Sequence, residues 1–465
     1  MAAGIASQSS RAWLGLCGLI LGSWSGDGFV WDRDRVFLKN GKEERGVVIE
    51  SCHPDRILLL RHGNRREEIR RGDIRRIDLL RDRLAAFVRV RRQGLSIEAE
   101  WGLVEDAKRA GLEHMARLQA YHVLLRDPEH RSAHEFLGHE RASSGWRWAI
   151  DGKPVTRDAF EDLSADWNHR LVLESEHFLV ETNCGLRRGL DVLFDLEGLY
   201  VWWMENLGPA LRAAEDVDDP EAERITFLVH TSRADPSFLQ RTSEEDAYYD
   251  PSQNSDAASG SFNVARTYYA TGGERPELLF ELGTEALLFS TLVLGRTRDE
   301  ADDKIRRLSH WADIGLGCWV ARHCGGSPGY PEIRPPFRRE FLLDPETARM
   351  SLERIAAPHH LLRGWSELAN LVDLPYLELV GRDPNTLRAR ARACSFVSFL
   401  LEAQPAAGPD EKTLHSGRDA LWTYFREVYC TQKAYSSSAF DDGLVGAKVE
   451  SLEGAWKAWT ASFVN

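Results

Sequence analysis

Residues 278–292 read LLFELGTEALLFSTL. Leu278, Leu282, Ala286 and Phe289 recur at helical spacing, so the stretch predicts a core-facing helix. Glu281 and Glu285 stand one turn apart on one face of it, with Gly283 and Thr284 between them. A glycine inside a helix costs about 1 kcal/mol against alanine. Two like charges one turn apart repel and raise each other's pKa unless a cation neutralises them. Arg306, Arg307 and His310, just downstream, are the candidate partners.

Outward from this helix, residues 166–465 read as one large domain. Leu171 to Thr182 (LVLESEHFLVET) predicts a strand and Gly185 to Leu207 a long amphipathic helix. Arg224 to His230 predicts a second strand. A polar loop, residues 243–260, leads into SFNVARTYYA (Ser261 to Ala270), a strand with the character of an exposed edge. Further helices are expected over Lys304 to His323, Leu387 to Ala403 and Arg418 to Tyr429. Strands first and helices after give an α+β domain. Trp202 and Trp203 continue the apolar side of the long helix and read as core, not as a sugar platform.

The front of the chain has a different texture. Between residues 27 and 82, short β-like runs (VFLKNG, RGVVIES, RILLLRHGN, REEIR, IRRIDLL) alternate with turn signals at Asn40-Gly41, Pro54-Asp55 and Gly63-Asn64. Five short strands in so little chain suggest a small SH3- or Sm-like barrel. This region is basic, with eighteen Lys and Arg against eleven Asp and Glu over residues 31–92. A polyanion is the partner such a barrel would take. Its arginines, however, alternate with apolar and acidic residues, as on a solvated strand face, and few aromatics interleave for stacking on single-stranded nucleic acid. Over residues 95–145 the period becomes helical, with a break at Asp127-Pro128. That segment is similar to a single tetratricopeptide-like hairpin, and a connecting segment runs from Gly145 to about Ala165.

The 465 residues suffice for two or three domains, and a charged fraction of 28% with an apolar fraction of 43% is that of a folded chain. A net charge of −13 argues against a protein devoted to nucleic acid. Residues 1–26 stand apart: Arg11 precedes an uncharged apolar run, Ala12 to Trp24, too short to span a bilayer. Its layout is that of a secretory signal peptide, which predicts export to the periplasm or beyond and no membrane span after cleavage; the alternative is an uncleaved membrane anchor. Six cysteines then remain, Cys52, Cys184, Cys318, Cys324, Cys394 and Cys430, without a CxxC pair. An exported chain permits disulfides among them, and the sequence does not choose a pairing.

Several motifs carry no chemistry. His134-Glu135-Phe136-Leu137-Gly138-His139 has one residue too many for HExxH, so on a helix the two imidazoles diverge by roughly 140°. It reads as a surface helix end before Gly138. His359-His360 lie in an expected loop, and the sequence has neither a Gly-rich phosphate loop nor a GxSxG elbow.

Sliding HExxH along the helix of residues 278–292 gives one register in which Glu281-Leu282-Gly283-Thr284-Glu285 resembles the metal-binding helix of the gluzincin metallopeptidases. More closely, it resembles the peptidase-like domain of a family of exported bacterial proteins, where this helix reads approximately HEGTHQLLF. Trp311-Ala312-Asp313-Ile314-Gly315-Leu316-Gly317 is similar to that family's W-x-x-E-G-L-A segment, which supplies the third ligand. SEHFLVETNC, a long helix holding Leu196-Glu197, RITFLVH, FDDGLVG and LEGAWKAWTASF extend the resemblance over nearly the whole chain, front modules included.

The resemblance implies a site without its chemistry. The two zinc-binding histidine positions hold Glu281 and Glu285, the general-base position holds Leu282, and the third ligand position holds Ile314. Catalytic zinc needs about three N/O ligands and a carboxylate to take the proton from water. The expectation is therefore a catalytically inactive, zinc-free, metallopeptidase-like protein that binds or scaffolds in the cell envelope, with a peptide or an envelope protein as partner. Two alternatives stay open: a hydrolase with an unconventional metal site of Glu281, Glu285, His310 and Cys318, and polyanion binding by the basic barrel. An edge strand that holds peptide by β-augmentation is the gluzincin mode, and SFNVARTYYA is the candidate for it.

Overall fold

The structure, a computed structural model, describes residues 34–49, 55–61, 65–143, 145–150, 152–208, 224–232, 234–235, 248–250, 264–268, 278–292, 311–324, 367–372, 374, 384–403, 418–425 and 449–461. The chain is mixed α and β, with small sheets that precede most of the helices.

Strands β1 (Asp34–Leu38), β2 (Glu43–Ile49), β3 (Arg56–Arg61), β4 (Arg65–Arg70) and β5 (Ile74–Asp78) form an antiparallel sheet in the order β4-β3-β2-β1-β5. These are the five strands expected from the alternating pattern. Val36, Val48, Ile57, Leu59, Ile69 and Leu79 make a core of their own. Asp34 ties that core to the segment beginning at Leu80: its buried carboxylate accepts the N–H groups of Val48 at 2.9 Å and Leu80 at 2.7 Å.

Four helices come next, α1 (Leu80–Arg91), α2 (Ile97–Ala110), α3 (Glu113–Arg126) and α4 (Arg131–Leu137). The expected break at Asp127-Pro128 separates α3 from α4, and a further break at Gly111 divides the first of the two expected helices into α2 and α3. Ser96 caps α2 by accepting the Ala99 N–H, and Gly111, at φ 72°, ends it in the left-handed conformation that glycine adopts without strain. The segment from Gly145 onward is more than a connector. Strands β6 (Glu140–Ala142), β7 (Gly145–Ile150) and β8 (Lys153–Val155) form a three-stranded meander, followed by α5 (Arg157–Ser164). One apolar core runs without interruption from Leu80 through this region to Trp456. The front helices and the large domain therefore share their packing, and the first five-stranded sheet keeps its own.

The second five-stranded sheet contains β9 (Leu171–Glu174), β10 (Phe178–Thr182), β11 (Ile225–His230), β12 (Tyr248–Asp250) and β13 (Val264–Tyr268), in the order β12-β13-β11-β10-β9. The middle three are parallel and the outer two antiparallel. Two expectations are corrected here. LVLESEHFLVET is a hairpin and not one strand, because Ser175, Glu176 and His177 turn the chain and the Ser175 N–H bonds the Phe178 carbonyl at 2.8 Å. Val264–Tyr268 is not an edge: it pairs with β11 on one side and β12 on the other, and all five residues are buried.

Helix α6 (Leu186–Asn206) lies against this sheet. The later helices are α7 (Leu278–Leu292), α8 (Trp311–Cys324), α9 (Glu367–Val372), α10 (Pro384–Glu402), α11 (residues 418–425) and α12 (Glu453–Ala461). Residues 304–310, expected in the same helix as Trp311, lie outside the described residues. Among the described residues, no helix is long and apolar enough to cross a membrane.

Candidate functional site

Three glycines determine how α7 and α8 sit. A Cβ on Gly283 would stand 2.5 Å from Cδ2 of Leu199 on α6. A Cβ on Gly317 would stand 3.0 Å from Cα of Glu281, and one on Gly315 would stand 2.6 Å from the Ala393 carbonyl oxygen on α10. At Gly317 and Gly315, therefore, α7, α8 and α10 approach almost backbone to backbone, while at Gly283 the Leu199 side chain of α6 fills the space a Cβ would take. Close approach explains why Gly283 is retained inside a helix despite its intrinsic cost. Thr284, buried beside it, donates its hydroxyl to the Phe280 carbonyl at 2.7 Å and so satisfies itself within the helix.

The residues singled out from the sequence fall in different surroundings. Leu282 is 5% exposed and belongs to the core. Ile314 packs against the same core, on a helix whose Trp311 is fully buried beside Phe396 and Tyr424. Glu281, half-buried, accepts a hydrogen bond on Oε1 from Sγ of the buried Cys318 at 3.2 Å. Glu285, also half-buried, is one turn further along α7. The structure thus brings Glu281 and Cys318 together. His310, Arg306 and Arg307 lie outside the described residues, as do His359 and His360. Among the described residues, no three His, Cys, Asp or Glu side chains converge as a metal-binding group. Cys184, Cys318 and Cys394 are free thiols.

Other polar constellations surface only in three dimensions. Glu197 of α6 is fully buried, and it accepts the His177 backbone N–H on Oε1 at 2.8 Å and meets His177 Nδ1 on Oε2 at 2.9 Å. Burial pushes the Glu197 carboxyl up; the His177 imidazole, the Ser175 hydroxyl and the His177 N–H outweigh it and hold it below the ordinary glutamate range. The sequence signal was the pairing of SEHF with a long helix carrying Glu197.

On the sheet, Arg170 donates to the buried Glu181 at 2.6 Å. The buried Arg266 donates to His230 Nε2 at 3.0 Å, and Trp167 stacks on that imidazole with 3.8 Å between ring centroids. On the far side of α6, Trp202 lies 5.6 Å from Trp319, whose Nε1 donates to Glu402 at 2.8 Å. Trp203 is fully buried, as a core residue should be.

The HExxH look-alike gains a different meaning. Helix α4 does end before Gly138, which has φ 78°, yet His134 is buried and not on the surface. The left-handed glycine turns the chain so that His139 comes back onto His134, with 2.7 Å between the two Nδ1 atoms. His134 Nε2 meets the Pro128 carbonyl at 2.8 Å and its ring stacks on Trp146. The geometry requires one imidazole to donate and the other to accept, so the pair holds one proton between them. Burial, reinforced by His134 and Arg117, pushes the His139 pKa down to about 4.

Compared with protein families, curated proteins and solved structures, the chain matches none.

Proposed function

We propose that this chain is a catalytically inactive, metallopeptidase-like exported protein that binds or scaffolds in the cell envelope. The observation that carries this reading is Leu282, which occupies the general-base position and packs its apolar side chain into the core. A base has to reach a water molecule, and an alkyl side chain 5% exposed accepts no proton. Ile314, at the third-ligand position, is likewise engaged in packing, and one oxygen of Glu281 is engaged by Cys318. A mixed sheet followed by close-packed helices supports the gluzincin-like reading of the large domain. Five antiparallel strands with a 3-10 turn (Arg71–Asp73) before the last support the SH3- or Sm-like reading of the barrel. Export rests on the apolar run Ala12 to Trp24. A peptide partner adding to the sheet would pair with Tyr248–Asp250, which holds the edge position that Val264–Tyr268 does not.

The Glu281–Cys318 contact favours a second reading, a metal site of Glu281, Glu285, His310 and Cys318. Metal analysis of the purified chain, before and after incubation with zinc, separates the two. Less than stoichiometric metal, unchanged in Glu281→Ala and Cys318→Ala, is expected. Stoichiometric metal that Glu281→Ala and Glu285→Ala both abolish overturns the inactive reading.

A further inference from the structure

The barrel's arginines divide into two groups. Arg45 pairs with Glu43, Arg56 with Glu68, and Arg61 with Glu44 and Glu67, while Arg65, at the start of β4, makes no ion pair among the described residues. Around the 3-10 turn Arg71–Asp73, where Arg70 stands across the strand pair from Arg56, a larger group is unanswered. Arg70, Arg71 and Arg75 are exposed and make no ion pair among the described residues, and neither does Lys39, whose backbone N–H bonds the Asp73 carbonyl at 2.8 Å. Arg76, also exposed, lies over the Phe37 ring and pairs with Asp78.

A β-bulge creates this concentration. Phe37 pairs with Arg76 and Leu38 with Ile74, so Arg75 is the extra residue between them. The bulge breaks the alternation of β5 and leaves two consecutive arginines facing solvent. Arg70 to Arg76 contains four arginines and a single acid, Asp73, in a chain whose net charge is −13.

From this arrangement we propose that the Arg71–Asp73 end of the barrel docks on an anionic lipid surface. Exposed cations with a single acid among them suit a surface of lipid phosphates. The neighbouring aromatic ring, Phe37, is covered by the Arg76 guanidinium at 4.5 Å and offers no open face to a nucleobase. The apolar run Ala12 to Trp24 ends only nine residues before β1, so wherever it stays uncleaved as an anchor it holds this basic sheet beside the bilayer. Clustered Lys and Arg beside a bilayer bind anionic headgroups additively, with a strength that salt screens.

Co-sedimentation of the full chain with phosphatidylcholine vesicles, with and without phosphatidylglycerol, tests the proposal. Binding to plain vesicles reports the apolar run; the gain on adding anionic lipid reports the basic turn. That gain is expected to fall roughly fivefold for each of Arg70→Ala, Arg71→Ala and Arg75→Ala, and to vanish at high salt. Arg61→Ala, which removes a paired cation at the other end of the β3–β4 pair, is expected to leave it unchanged. No gain with anionic lipid, or an equal loss in Arg61→Ala, overturns the proposal. Tighter binding to a single-stranded oligonucleotide than to anionic vesicles overturns it in favour of nucleic acid.

Discussion

Glu197, in the middle of α6, grips both the backbone N–H and the imidazole of His177, in the turn between β9 and β10, through a fully buried carboxylate. One side chain thereby fixes the register of a hairpin against a helix twenty residues away in sequence. Because both oxygens are used, the site is rigid, and removing either partner strands the other in the core.

Glu197→Ala is accordingly expected to destabilise the protein by about 3 kcal/mol or more, since breaking a buried pair leaves an uncompensated polar group. Glu197→Gln keeps one acceptor for the His177 N–H and should cost less. Urea denaturation followed by circular dichroism measures both. The folded-state pKa of Glu197 is depressed, so its contribution is present above the unfolded pKa and is lost as pH falls through the folded one.

His139 has the opposite chemistry and the same acid sensitivity. Its pKa falls from the ordinary histidine value of 6.5 to about 4 on folding. Between those values the unfolded chain binds the extra proton, so stability rises with pH across that window. The loss on acidification from pH 7 to 4 is on the order of 2 to 3 kcal/mol from this group. Urea midpoints measured across that range should show it, and His139→Asn should flatten the dependence.

Gly315→Ala is expected to be more damaging than Gly283→Ala. A methyl at Gly315 meets the backbone carbonyl of Ala393, which has nowhere to go, whereas one at Gly283 meets the end of the Leu199 side chain. Alanine's better helix propensity recovers about 1 kcal/mol at either position, against overpacking costs of about 1–3 kcal/mol. Pairing Gly283→Ala with Leu199→Ala should restore part of the loss in a double-mutant cycle, whereas Gly315→Ala has no such partner to trim.

Cys318 and Cys394 are buried thiols, and buried thiols react slowly. Alkylation mapped by mass spectrometry should leave both unmodified in the folded protein and label both after unfolding. Labelling of Cys318 in the native state would mean that the α7–α8 contact with Glu281 opens.

The local pattern of the chain determined most of its elements. Period-two alternation marked the strands of the first sheet, and period 3.6 marked α6 and α7, because each of these buries one face; the break at Gly111 and the β6–β8 meander were not marked. That Leu282 belongs to the core was legible too, from its helical spacing with Leu278, Ala286 and Phe289. Tertiary structure decided the rest. Whether Val264–Tyr268 is an edge depends on Tyr248–Asp250 pairing outside it, and β pairing joins segments that sequence spacing does not relate. That His139 meets His134 follows from one left-handed glycine, which turns a divergent helical spacing into a contact. Gly283 is the clearest case. From the sequence it is a costly residue between two acids; in the fold it is where the Leu199 side chain of α6 takes the space of a Cβ, and only packing between distant segments supplies that reason.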